Sequence, residues 1–193
     1  VFHDLKAPLA AVENYNRLLL GEFVGGLNKE QGEMIQRSSE RLSGLLNLVT
    51  NMTDLSHVDF GDLRRERISL AETIEGCVEI MRPLAEKKGM QLITEVPRGL
   101  PAVLGSRVRL EQVVRNLLSN AIKYTHSGGV VTVKVKDELY EIRVEVVDTG
   151  IGVPTEELPK IFDGFYRGLD IAERGSGLGL SITKKIVDAH HGR

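Results

Sequence analysis

The sequence predicts an α+β chain in two parts: a helical hairpin, then an α/β sandwich in which a sheet carries helices on one face. Three observations lead there. Two stretches before Met52 each carry a narrow stripe at alternating steps of three and four, the period of helices that pack along a seam. A charge-rich run at 57–68, containing Gly61, then interrupts the pattern. Beyond it, β-branched or alternating runs are interleaved with helical periods, as in a sheet that carries helices.

Residues 1–20 read as the first helix, because Phe2, Leu5, Leu9, Val12, Asn16 and Leu19 fall on one stripe. Gly21, Gly25 and Gly26 end it. Asn28 is placed to cap a second helix, with Glu30 and Glu33 near its positive end. Its stripe is Ile35, Ser38, Leu42, Leu45, Val49 and Met52. Two narrow stripes give too little core for a hairpin to stand alone. Pairing two copies into a four-helix bundle would bury both, so a homodimer is expected. The run at 57–68 reads as the linker between a part spanning 1–60 and a part spanning 61–193. After it, helices are expected at 70–88, 110–124 and 181–190, and strands at 92–96, 130–136 and 141–147.

Hydrophobic residues make up 41% and charged residues 27%, the balance of a soluble globular chain. A net charge of -2, from 25 basic and 27 acidic residues, argues against a nucleic-acid partner. The single cysteine, Cys77, rules out an internal disulfide and fits a reducing cytoplasm. No apolar run approaches the roughly 20 residues needed to span a bilayer, and no signal peptide is evident. A cytoplasmic location without membrane contact is therefore expected for this stretch. The abrupt start before Phe2-His3-Asp4 and the end at Arg193 read as cut ends, which leaves a membrane-anchored parent open.

Five clusters carry chemistry. On a helix, Asn116, Asn120 and Lys123 share one face, with Leu110, Val113, Val114, Leu117, Leu118 and Ala121 behind them. Amide oxygens suit magnesium and an amine suits phosphate; the bland reading is a solvated polar face. Asp148 follows a strand and precedes Gly150, Gly152 and Pro154. Its carboxylate can accept from an exocyclic amine such as adenine N6, and the glycines let backbone approach a planar ring; alone it is a strand-to-loop turn. Gly175, Gly177, Leu178, Gly179 and Leu180 run into a helix and can cradle phosphate with backbone N–H groups. No Gly-Lys-Ser/Thr follows, which excludes a Walker loop. In the run from Ile161 to Arg167, Phe162 or Phe165 is expected to anchor in the core, while Arg167 suits a phosphate. Finally, Asp4 follows His3 and can take a proton from its imidazole. Pro8 removes the N–H that would bond the Asp4 carbonyl and loosens that turn.

Taken in order, the five resemble the boxes of the histidine kinases of two-component signalling. They match the phosphoacceptor box (His3 to Leu9), the asparagine box (Asn116 to Thr125), the first glycine box (Asp148 to Gly152), the phenylalanine box (Phe162 to Arg167) and the second glycine box (Gly175 to Leu180). The resemblance covers nearly the whole chain and implies a dimerisation and phosphoacceptor part plus a GHKL-type ATP-binding part with a mixed sheet. It makes His3 the phosphoacceptor and Asp4 its acid–base partner. Asn120, with Asn116, would ligate magnesium; Lys123 would touch phosphate and Tyr124 would pack near the nucleotide. Asp148 would read adenine. Residues 167–175 would form an ATP lid hinged at Gly177 and Gly179. ATP and Mg²⁺ are the implied cofactors, and a response regulator receiver domain is the implied partner.

Four features depart from the family pattern. Ala7 stands where Thr or Asn is frequent, which predicts weak phosphatase activity toward the regulator. Gly164 replaces a larger residue, the lid is short, and a further strand usually follows the position of Gly192. Two alternatives share the same fold class. An ATP-hydrolysing switch of the gyrase type would carry Glu at position 116 to activate water, and Asn116 cannot accept a proton. A catalytically dead dimerisation module would have lost ligands, whereas Asn120 and Asp148 are both present.

Overall fold

The computed structural model describes residues 2–57, 65–166, 168 and 177–193, with the side chains of 2–4, 47, 48 and 51–57 outside that description. The chain divides into two compact units, Val1–Asp59 and Phe60–Arg193.

In the first unit, α1 (Phe2–Leu20, containing Pro8) and α2 (Lys29–His57) form the hairpin. The turn between them closes by backbone bonds from Gly21 N–H to the Arg17 carbonyl (2.9 Å) and from Phe23 N–H to the Leu18 carbonyl (3.1 Å). These satisfy carbonyls left over at the end of α1. A Cβ on Gly21 would lie 2.6 Å from the ring of exposed Phe23, which would have to move aside. Asn28 caps α2 as expected, and its partner is Gln31. Gln31 N–H donates to Asn28 Oδ1 (2.9 Å) and Asn28 N–H donates to Gln31 Oε1 (3.0 Å), a reciprocal capping box. Between the helices, Asn16 Nδ2 donates to Ser38 Oγ (3.3 Å) and Ser43 Oγ donates to Glu13 Oε1 (3.1 Å). Leu42 and Asn16 are buried, whereas Leu5, Val12 and Leu45 of the same stripes stay exposed.

The second unit contains β1 (Glu66–Ile68), α3 (Leu70–Lys87), β2 (Gln91–Glu95), β3 (Val103–Gly105), α4 (Arg107–Tyr124), β4 (Val130–Glu138), β5 (Glu141–Asp148) and α5 (Gly179–Ala189). A single 3₁₀ turn at Leu158–Lys160 precedes α5. The main sheet runs β2-β4-β5, with β2 parallel and β5 antiparallel to β4, so it is mixed. Val131, Val133 and Val135 on one face of β4 are buried against Ile74, Cys77 and Val78 of α3 and Leu118, Ala121 and Ile122 of α4. The alternate residues Lys134 and Lys136 face away and pair with Glu95 and Glu145, the period-two division of a half-buried sheet. Burial, followed by Glu111, pushes the Cys77 thiol above its ordinary range against the opposing pull of Arg115.

Three expectations need correction. Residues 66–68 are a strand and not linker, and 103–105 form a strand that the sequence does not announce. The two pair antiparallel as a separate small sheet where a single sheet is expected. A three-residue strand carries too few positions to show a period. Third, α4 begins at Arg107, ahead of the expected Leu110, because Ser106 supplies an extended N-cap residue before the apolar period starts. No described helix is long and apolar enough to cross a membrane.

Candidate functional site

The polar face of α4 carries Asn116, Asn120 and Lys123, all half-buried, while Val113, Val114, Leu118, Ala121 and Ile122 bury the opposite side. The helix end is held by a residue that sequence reasoning missed. Lys88 Nζ donates to the carbonyls of Ile122 (2.8 Å) and Lys123 (2.7 Å). A cation there satisfies carbonyls without helical partners and complements the negative helix end. Lys123 Nζ lies over the Tyr124 ring, 4.6 Å from its centroid, and donates to its hydroxyl (2.9 Å).

The Asp148–Gly152 loop leans on this helix end. Ile151 N–H donates to the Tyr124 carbonyl (3.2 Å). At Gly150 a Cβ would stand 2.5 Å from that oxygen, so only glycine permits the approach. Gly150 N–H donates to Asp148 Oδ1 (2.9 Å), which orients an exposed carboxylate at the end of β5. A carboxylate has lone pairs to spare for an exocyclic amine. Thr149 ties the loop to β4, its hydroxyl accepting from Val130 N–H (3.0 Å). Gly152 sits at φ 70, with open space where a side chain would be.

The second glycine segment meets the phenylalanine segment. Phe165 N–H donates to the Gly177 carbonyl (3.0 Å), and a Cβ on Gly177, at φ 68, would lie 2.7 Å from Phe165 backbone. Leu178 is fully buried as the N-cap of α5, and Gly179 and Leu180 open the helix. Asn116 Nδ2 donates to the Gly179 carbonyl (3.2 Å), which brings the amide face of α4 to the first turn of α5. Neither aromatic is a core anchor: Phe162 is 46% and Phe165 58% exposed. Phe165 is at φ 67, in a turn and not on a periodic face that would carry it inward. Tyr166 beside them is half-buried, its phenol pushed above the ordinary range by desolvation and then by Glu157.

Asn116 thus meets Gly179, Tyr124 meets the Gly150 loop, and Gly177 meets Phe165. His3 and Asp4 lie on α1, but their side chains are outside the described residues, as are Arg167, Gly175 and most of the expected lid. Among the described residues no group of three His, Cys, Asp or Glu could hold a metal ion. The amide oxygens of Asn116 and Asn120 are of a kind that suits a hard cation.

Residues 105–193 match the family of histidine kinase-, DNA gyrase B- and HSP90-like ATPases. The whole chain is 33% identical to an uncharacterized sensor-like histidine kinase of Rhizobium meliloti and spans 38% of that protein. It is also 33% identical, over 98% of its length, to the circadian input-output histidine kinase CikA of Thermosynechococcus vestitus, of which it spans 27%. Among solved structures, full-length ShkA in complex with AMPPNP superposes with a TM-score of 0.79 at 28% identity, covering 97% of this chain and 39% of that one. Histidine kinase ThkA, in complex with the response regulator TrrA, gives a TM-score of 0.67 at 25% identity over 98% of this chain and 55% of that one.

Proposed function

The chain belongs to the sensor histidine kinases, and from that premise we propose that it uses ATP and Mg²⁺ to phosphorylate His3. The phosphoryl group would then pass to an aspartate in the receiver domain of a response regulator. The observation that carries this reading is the bond from Asn116 to Gly179, which sets an amide-bearing helix face beside a glycine-led helix N-terminus. Amides suit a hard cation, and a helix N-terminus suits phosphate.

Each residue has a part. Asp148 accepts a hydrogen bond from the adenine amine, and Gly150 and Gly152 let backbone lie against the ring. Tyr124 packs at the nucleotide and Lys123 neutralises phosphate charge. Because the Asn116 nitrogen is already committed to Gly179, its oxygen is the end left for a cation, together with Asn120. When bound, Mg²⁺ would neutralise phosphate oxygens. Backbone N–H groups from Gly175 through Leu180, and the Arg167 guanidinium, hold the phosphates. A ring nitrogen of His3 forms a bond to the γ-phosphorus as the bond to the bridging oxygen breaks. ADP leaves, and Asp4 receives the imidazole proton.

Asn116 favours kinase over hydrolase, since an amide cannot draw a proton from water. The exposed Leu5, Val12 and Leu45 support a homodimer in which two hairpins bury each other's stripes. Incubation with γ-labelled ATP and Mg²⁺ tests the proposal. A phosphohistidine label survives base and is lost in acid; ATP turnover to free phosphate without protein-bound label would instead support the hydrolytic switch.

A further inference from the structure

The imidazole of His190 lies between two backbone groups whose polarity is fixed. Ser106 N–H donates to its Nε2 at 2.9 Å, and its Nδ1 is 2.7 Å from the Ile186 carbonyl oxygen. A backbone N–H only donates and a carbonyl only accepts. Nε2 is therefore the bare acceptor, Nδ1 carries the proton, and the ring is neutral. The ring also needs Gly105 beside it, because a Cβ there would stand 2.7 Å from His190 Cδ2.

His190 is the C-cap of α5, and Ser106 is the N-cap of α4. Their hydrogen bond fixes the far end of α5 to the start of α4. The near end of α5 is fixed by Asn116 and Gly179. The two helices therefore run antiparallel with a polar tie at each end, and Ile182 and Ile186 are buried between the ties. Apolar packing of Leu178, Ile182 and Ile186 holds α5 in place, and the second tie fixes its register along α4. Arg65 supports the same end, its Nη2 donating to the Ala189 carbonyl (3.1 Å).

We propose that His190 is a positioning residue for phosphate binding: by anchoring α5 to the N-cap of α4, it sets where the Gly177–Leu180 turn stands relative to Asn116 and Asn120. This rests on the reading above that the turn holds phosphates. The adenine side lies at the opposite end of α4 from the His190 tie, since Asp148 ends β5 and the loop after it is held by Ile151 N–H on the Tyr124 carbonyl. Loss of the His190 tie is thus felt at the phosphates and spares the base.

The test compares binding of ATP with Mg²⁺ and binding of adenosine by calorimetry. His190→Ala should weaken ATP up to about tenfold, the worth of one good hydrogen bond, with adenosine affinity unchanged. In His190→Gln the amide oxygen can accept from Ser106 N–H, and most of the loss should be recovered. In the unmodified chain, long-range ¹H–¹⁵N spectra should show His190 protonated at Nδ1 and bare at Nε2. Three results overturn the proposal: a proton on Nε2, an unmoved ATP affinity in His190→Ala, or an equal loss for ATP and adenosine. A His190→Ala chain that fails to fold counts with the third, because the role is then structural. Failure of the unmodified chain to bind ATP sinks the phosphate-site reading and this proposal with it. ATP binding that ignores His190 sinks only this one.

Discussion

Leu118 of α4 is fully buried, whereas Leu45 of α2 keeps 49% of its surface exposed, although both sit on the apolar stripe of a long helix. The difference runs through the two units. In Phe60–Arg193, two helices close over a sheet and the unit fills its own core. In Val1–Asp59, two helices can cover only part of each other's stripes, and Leu5, Val12 and Leu45 remain open. One sequence signal, the apolar stripe, therefore has two outcomes, decided by whether the same chain supplies a covering surface. The nucleotide-type site is set on the self-sufficient unit. The helix that carries His3, the proposed phosphoacceptor, lies in the unit whose stripes stay partly open.

The largest effect should come from charging the open stripe. Leu45→Asp combined with Val49→Asp would bury unpaired carboxylates in a paired bundle, at several kcal/mol per charge. Sedimentation should then show monomers where the unmodified chain is dimeric. A chain that is already monomeric at high micromolar concentration would contradict the comparison at its root.

Next is the filled core. Leu118→Ala leaves a cavity and should cost about 2–5 kcal/mol in urea unfolding of the second unit. Leu45→Ala, measured on dilute monomer, should cost no more than about 0.5 kcal/mol. Similar losses at the two positions would erase the distinction between the units.

Within the second unit, the base and phosphate sides should separate. Asp148→Ala should weaken adenosine nucleotides by about 1–3 kcal/mol with or without metal. Asn120→Ala should weaken ATP chiefly when Mg²⁺ is present. Calorimetry that finds both variants unchanged would refute the assignments. The smallest effect concerns Ala7, one helical turn from His3. A methyl group cannot orient water, so Ala7→Thr should modestly quicken the decay of a phosphorylated cognate regulator in the presence of ADP. Rapid decay with the unmodified chain would show that another residue does this.

How much of this was legible depended on the range of the interaction. The long helices declare themselves, because α1, α3 and α4 repeat an apolar period over several turns. The Asn28 cap is legible for the same local reason, and its Gln31 partner lies only three residues away. β1 and β3 are not, because each is short and exists through pairing with the other. The Lys88 clamp on α4 and the His190 tie to Ser106 join segments far apart in sequence, so no local pattern announces them. Among the site residues, spacing places Asn116, Asn120 and Lys123 on one face. It does not reveal that the Asn116 nitrogen is committed to Gly179. Phe162 and Phe165 mislead for the opposite reason: they are large and apolar, yet lie outside any periodic element and remain exposed.

The most direct measurement is protein-bound label after incubation of the chain and its His3→Gln variant with γ-labelled ATP and Mg²⁺. The unmodified chain should gain an acid-labile, base-stable label. The variant should gain none while binding ATP with unchanged affinity. Label that persists in the His3→Gln variant, or an unmodified chain that binds ATP yet never becomes labelled, would contradict phosphorylation at His3.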